Sequence, residues 1–217
     1  MKTFVELRRN LRKEPPAEKV RIALLGDTAT QLLAQALIGE GYDRGCAVEM
    51  FEAEYNQVER QVLDQGSDFH AFGAEYAVVF QSTRRLMDRH AGMTSSEAAA
   101  LADERLEFVR ALCDSFGGKI IYLNYPETDD GVFGNYANKV PGSFIRQIRR
   151  LNLGLMELAS VRPDLFIYDL ASLQNACGFR RRNRNHRPAD RLSHILCSRR
   201  KCRCRKRLPW PLPILGQ

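Results

Sequence analysis

Residues 20–28 read VRIALLGDT. With Arg21 set aside, Val20–Leu25 is an unbroken apolar run, the pattern of a strand covered on both faces in a parallel sheet. Gly26-Asp27 turns the chain, and Thr28 to about Glu40 has helical spacing, ended by Gly41. Strand, turn and helix in that order form the opening unit of an α/β fold, and the unit repeats down the chain.

Working outward, a second strand is expected at about Ala47–Glu54, followed by a helical stretch around Val58–Leu63. Gly66-Ser67-Asp68 leads to a third strand at Tyr76–Phe80. Thr94-Ser95-Ser96-Glu97 is a capping box that opens a helix with Leu101, Phe108, Val109, Leu112 and Phe116 on one face. Gly117-Gly118 close that helix as residues tolerant of positive φ. Lys119–Asn124 is the fourth strand. Pro141, in the first turn, starts a helix with Phe144, Ile148, Leu151, Leu155 and Leu158 inward and Arg146, Arg149 and Arg150 outward. Asp164–Asp169 is the fifth strand, and Leu170–Cys177 begins one more helix. Upstream, residues 3–13 form a short amphipathic helix ended by Pro15-Pro16. Five strands with helices between them give an α/β three-layer sandwich around a five-stranded parallel sheet.

The charge is divided unevenly. Residues 1–178 carry 20 Lys and Arg against 25 Asp and Glu, a net of −5. Residues 179–217 carry 13 against one acid, Asp190, a net of +12, and together they make the chain's +7. The pI near 9.3 therefore belongs to the C-terminal segment, and the body is acidic. The chain divides into an N-terminal helix and linker at 1–17, the α/β domain at 18–178, and a basic segment rich in Arg, Cys and Pro at 179–217. No run approaches the roughly 18 apolar residues of a membrane span. The N-terminus lacks the apolar stretch of a signal peptide, so the expected location is cytoplasmic. Cys46, Cys113 and Cys177 stand singly among apolar neighbours, as small core residues do in a reducing compartment.

Three readings of the basic segment compete. It could bind nucleic acid or acidic lipid headgroups by releasing counterions. His194, Cys197, Cys202 and Cys204 could hold zinc, but the chain has no paired Cys-x2-Cys knuckle, and Cys202-x-Cys204 is too tight. The third reading, a frame shift or truncation, accounts for most: Arg, Pro and Cys rise together, as they do when GC-rich codons are read out of frame. No metal and no cofactor is expected.

Ligands of such sheets bind outside the carboxyl ends of the strands, so the loops there are the places to look. Gly26-Asp27-Thr28 is the sharpest. The Thr28 hydroxyl could act as nucleophile, or, with Gln31 three residues on, could simply cap its helix. Asp27, Asn56, Ser82, Asn124, Glu127, Asn135 and Asn138 come from four different strand ends, and only the carboxyl edge would gather them around a ligand. His70 and His90 stand in charged surroundings with no partner at metal-ligand spacing, and read as surface residues.

VRIALLGDTATQLLAQAL (20–37), FEAEYNQVERQV (51–62), VVFQST (78–83) and above all NYPETDDGVFGNYANK (124–139) resemble the N-terminal domain of FkbH-like proteins, in the HAD-IIIC group of phosphatase-like proteins. The resemblance covers roughly residues 3–178. It implies an SGNH (GDSL-like) hydrolase fold, flavodoxin-like in layering, which in that family precedes a HAD domain with a DxDxT nucleophile. It also implies a part in loading phosphorylated three-carbon units onto carrier proteins in polyketide-type biosynthesis, and in related secondary-metabolite or surface-polymer biosynthesis. Gly26, Asp27 and Thr28 match the nucleophile block, with threonine in place of serine. Gln81-Ser82-Thr83 falls where hydrolases carry an oxyanion-holding asparagine. No DxDxT occurs in the chain, and no DxxH base block is identifiable. The expectation is a binding or positioning module for an acyl carrier protein or a small acyl or phosphate ligand. A GDSL-like ester hydrolase using Thr28, with Asp27 beside it, is the alternative. Nucleic-acid binding through the basic segment is a third.

Overall fold

The computed structural model describes residues 2–180. The expected frame shift or basic tail at 179–217, and the zinc reading with it, lie outside the described residues but for Phe179 and Arg180, the last residues of the final helix.

The sheet has five strands, β1 (Glu18–Gly26), β2 (Cys46–Glu52), β3 (Tyr76–Phe80), β4 (Lys119–Leu123) and β5 (Leu165–Tyr168). Their order is β2-β1-β3-β4-β5, and every neighbouring pair is parallel. The chain therefore runs outward on one side of β1 and then on the other, which makes the carboxyl ends of β1 and β3 the switch point of the sheet. The helices are α1 (Phe4–Asn10), α2 (Gln31–Asp43), α3 (Val58–Leu63), α4 (Asp68–Phe72), α5 (Thr83–His90), α6 (Ser95–Ser115), α7 (Phe144–Val161) and α8 (Leu170–Arg180). Among the described residues, no helix is long and apolar enough to cross a membrane.

Alternation along the strands divides the core in two. Ala23, Leu25, Ala77, Val79, Ile120 and Tyr122 face the larger cluster, built with α3 to α7. Leu24, Val78 and Leu123 face the smaller one, built with Leu33 and Ala34 of α2 and flanked by Leu170 of α8. Burial on both faces is the physical reason for the continuous apolar runs. Helix α1 is docked on α2: Leu7 is fully buried, and Asn10 donates to the Gly39 carbonyl at 2.9 Å. A Cβ on Gly39 would lie 2.3 Å from the Leu7 carbonyl oxygen, so only glycine permits this approach.

The Thr94–Glu97 capping box forms, with both reciprocal bonds. Several expected boundaries move. Helix α2 begins at Gln31, not Thr28, and its N-cap is Thr30. Pro141 lies before α7 rather than in its first turn; Ser143 is the N-cap. Gly117 and Gly118 are not at positive φ. Gly118 is instead a packing glycine, since a Cβ there would meet the Glu75 carbonyl oxygen at 2.5 Å. Helices α4 and α5 carry no sequence expectation. TRRLMDRH of α5 holds only Leu86 and Met87 as apolar residues, too few to show a period. His70 and His90 are half-buried, with Nε2 against the Val62 carbonyl at 3.0 Å and the Gly142 carbonyl at 2.8 Å, rather than free at the surface. Cys113 is buried as expected, whereas Cys46 is only half-buried.

Candidate functional site

A cleft of about 310 Å³ opens at the carboxyl edge, where the ends of β1, β3 and β4 meet α3, α5 and α6. Its position follows from the topology: two chain crossovers depart in opposite directions here and leave a gap.

Asp27 follows β1 directly. Its Oδ1 accepts the Ser82 backbone N–H at 2.8 Å, which ties the end of β1 to the end of β3. The turn that presents it needs glycine, because a Cβ on Gly26 would lie 2.3 Å from Cγ2 of Thr30. Burial pushes the Asp27 carboxyl above the usual range, against the opposing pull of the Ser82 N–H and of Arg85 and Arg105.

Arg85, on the first turn of α5, donates from Nη1 to the Asp27 carbonyl oxygen and to Asn56 Oδ1, the latter at 2.7 Å. Its guanidinium lies 4.3 Å from the centre of the Tyr55 ring. Asn56 holds φ at +61°, a left-handed conformation that asparagine tolerates better than most residues. Arg105 rises from α6 with a side chain only 3% exposed. It donates from Nη1 to Glu59 at 2.5 Å and from Nη2 to Gln81 Oε1 at 3.0 Å, while its buried Nε has no partner. Burial works against the charge of Arg105, but Tyr125, Tyr122 and Glu59 outweigh it and raise the pKa above its ordinary value.

Gln81 is the hub beneath the cleft. Its Oε1 also faces the hydroxyls of Tyr122 at 2.8 Å and Tyr125 at 2.9 Å, which are 2.7 Å from each other. An amide oxygen has two lone pairs, so with Arg105 already donating, one phenol bonds to the other rather than to Gln81. Burial raises the pKa of both tyrosines, which keeps them as neutral hydrogen-bonding groups.

Of the residues expected at one ligand site, the cleft gathers Asp27 and Asn56, and Ser82 contributes through its backbone N–H. Thr28 is half-buried and does not line the cleft. Its expected cap bond is absent, and even Thr30, the actual N-cap, sends its hydroxyl to Glu52 at 2.9 Å rather than to a helix amide. Asn124 stands apart from the cleft because both ends of its amide are engaged elsewhere: it donates to Asp169 at 2.9 Å and accepts from the Ala171 N–H at 2.9 Å, fastening α8 to β4. Glu127 and Asn138 are drawn onto Arg149, at 2.8 Å and 2.5 Å, on an exposed face. Asn135 is exposed in the short 3-10 turn Gly134–Lys139.

The cleft also uses Gln81, named in the sequence only within the Gln81-Ser82-Thr83 block, and Arg85, Arg105, Glu59 and Tyr125, which the sequence did not single out. For Arg105 a signal was there to read: it lies four residues after Leu101 and three before Phe108, inside the apolar stripe of α6, where a charge needs a reason.

A family model described as FkbH, N-terminal domain matches residues 21–188. The match runs past Gly178, where the composition changes. Among solved structures, the N-terminal part of a Bacteroides fragilis protein, BF1531, containing a phosphatase domain and complexed with Mg, superposes with a TM-score of 0.84 at 41% identity. The match covers 90% of this chain and 54% of that one, so the chain spans about half the length of that relative. An acetyl xylan esterase, AlAXEase, superposes with a TM-score of 0.50 at 14% identity over 82% of this chain and 98% of that one, a likeness of fold alone. No curated protein matches the chain.

Proposed function

The chain belongs to the family of FkbH N-terminal domains, and from that premise we propose that it is a binding and positioning domain rather than an ester hydrolase. The domain would serve the phosphatase or acyl-transfer chemistry of a HAD-type partner domain, in biosynthesis of the polyketide or secondary-metabolite kind. Its ligand would be an acyl carrier protein, or the small acyl or phosphate group such a protein carries.

One observation carries this reading. The cleft is furnished with three arginines, two carboxylates, two amides and a phenol, while Thr28 stands outside it and, among the described residues, no histidine lines it. Hydrolysis by a hydroxyl needs a base within hydrogen-bond reach and oxyanion donors aimed at the same point. The residues lining the cleft are suited to holding a polar ligand.

Turnover of short-chain p-nitrophenyl esters tests this. The expected result is no rate above background, with Thr28→Ala unchanged in turnover and within about 0.5 kcal/mol in stability, since its hydroxyl anchors nothing among the described residues. Ester hydrolysis abolished by Thr28→Ala would establish the hydrolase reading instead.

A further inference from the structure

The connection from β4 to α7, residues 124–143, holds no regular element but the short 3-10 turn Gly134–Lys139. A connection of that length inside a packed domain calls for a reason. Its base is fixed. Arg149 of α7 donates from Nη2 to Glu127 on the outgoing limb, at 2.8 Å, and from Nη1 to Asn138 on the returning limb, at 2.5 Å. Asn152 of α7 accepts the Tyr125 N–H at 3.0 Å and donates to the Tyr125 carbonyl at 2.7 Å. The tip is held differently. Among the described residues, every hydrogen bond of residues 128–136 stays within the loop: Asp129 Oδ1 accepts the Gly131 N–H at 3.0 Å, and Asp130 Oδ1 accepts the Val132 N–H at 3.1 Å.

This tip carries apolar side chains into water: Val132 is 69% exposed, Phe133 41% and Tyr136 62%. Gly131, at φ +76°, and Gly134, at φ +49°, flank Val132-Phe133, and a Cβ on either would meet nothing within 4 Å. These two glycines therefore answer a need of the backbone, not of packing. The cleft lies beside the loop, since Tyr125, from which the loop departs, lines it. Across the cleft stands Tyr55, 61% exposed, with its ring over the Arg85 guanidinium. Strands β2 and β4, which send out Tyr55 and the loop, are three strand spacings apart, about 14 Å. Phe133 is five residues from Asn138, a reach of about 17 Å when extended. The stacking of Tyr55 on Arg85, which follows β3, narrows the gap further.

We propose that residues 128–136 are a lid over the carboxyl-edge cleft. The tip turns about Gly131 and Gly134 on its stapled base and lays Phe133 against Tyr55 across the mouth. Burial of apolar surface that now faces water drives the closing, and both halves of the contact belong to this chain. Closed, the lid shuts solvent away from Asp27, Gln81 and Arg85, which strengthens the polar contacts a ligand makes there. The lid goes beyond the binding reading above, because its closing is a motion of this chain alone.

Disulfide trapping in the full chain, without ligand, is the test. Tyr55→Cys combined with Phe133→Cys is oxidised with copper phenanthroline, and peptide mapping by mass spectrometry separates the new bridge from any made by the native cysteines. Val161→Cys combined with Phe133→Cys is the control, because Val161 is also exposed but ends α7, just before the start of β5 at the opposite end of the sheet. All three positions are exposed, so the variants should melt as the parent does. A disulfide needs Cα atoms within about 7 Å, so only an approach of the tip to the far rim can form one. The bridge between positions 55 and 133 should form about tenfold faster, or more, than that between 133 and 161, since a lid raises the local concentration of one site at the other. Equal rates for the two pairs, or no bridge between 55 and 133, would overturn the lid. Bridges through position 133 that join two chains would assign the tip to an intermolecular contact and overturn it as well. A failed trap leaves the binding reading standing, and a failed ligand titration leaves the lid standing.

Discussion

Arg105→Ala should lower the stability of the domain by about 3 kcal/mol, seen as a fall in the urea midpoint at unchanged slope. Arg105 is a charged side chain in the apolar stripe of α6, almost wholly enclosed, with its guanidinium 4.7 Å from the centre of the Phe108 ring. Truncation removes the packing of its stem and two hydrogen bonds, to Glu59 and Gln81. Glu59 is half exposed, so water can replace what it loses, and that part of the cost is small. The larger part comes from the void under the cleft and from loss of the donor that aligns the Gln81–Tyr122–Tyr125 group. Arg105→Met, which keeps most of the stem, should recover about half of the loss. Equal losses in both variants would assign the effect to the charge rather than to packing.

Phe144→Ala should cost about 3–5 kcal/mol, the range for deleting a buried aromatic ring. Phe144 is the first residue of α7 and is fully buried. Its ring lies 5.3 Å from that of His90, whose Nε2 meets the Gly142 carbonyl. One side chain thus pins three things together: the end of the long loop after β4, the end of α5, and the start of α7. Because α5 carries Arg85, loss of this anchor should also loosen the cleft. Faster amide exchange in α5 than in β1 of the variant would display that, since exchange reports local opening.

What the sequence revealed, and what it hid, follows from where each signal is stored. The strands around Val20–Leu25, Tyr76–Phe80 and Lys119–Leu123 were legible because each is buried on both faces, so the evidence lies in consecutive residues. The start of α2 was misplaced because Thr28-x-x-Gln31 has the spacing of a cap, while the chain needs two further residues to leave the sheet before the helix begins. The cleft was half legible. Asp27 and Asn56 follow strands directly, and their place at the carboxyl edge comes from topology alone. Arg85 was hidden with α5, a helix with too little apolar face to announce itself. The Gln81, Arg105, Tyr122 and Tyr125 group joins β3, α6, β4 and the loop after it, a convergence that no local pattern encodes. Asn124, Glu127, Asn135 and Asn138 misled for the opposite reason. They share one polar loop, but Asp169 and Arg149 pull three of them into structural pairs away from the cleft.

The central claim is that ligand binding belongs to the carboxyl-edge cleft. Amide chemical-shift mapping during titration with an acyl carrier protein tests it most directly. The predicted result is a set of shifts at Asp27, Asn56, Gln81, Ser82 and Arg85, residues from three strand ends that meet at this cleft and its rim. Shifts confined to the opposite end of the sheet, in the groove lined by Arg21, His70, Gly73, Gly118 and Lys119, would contradict it.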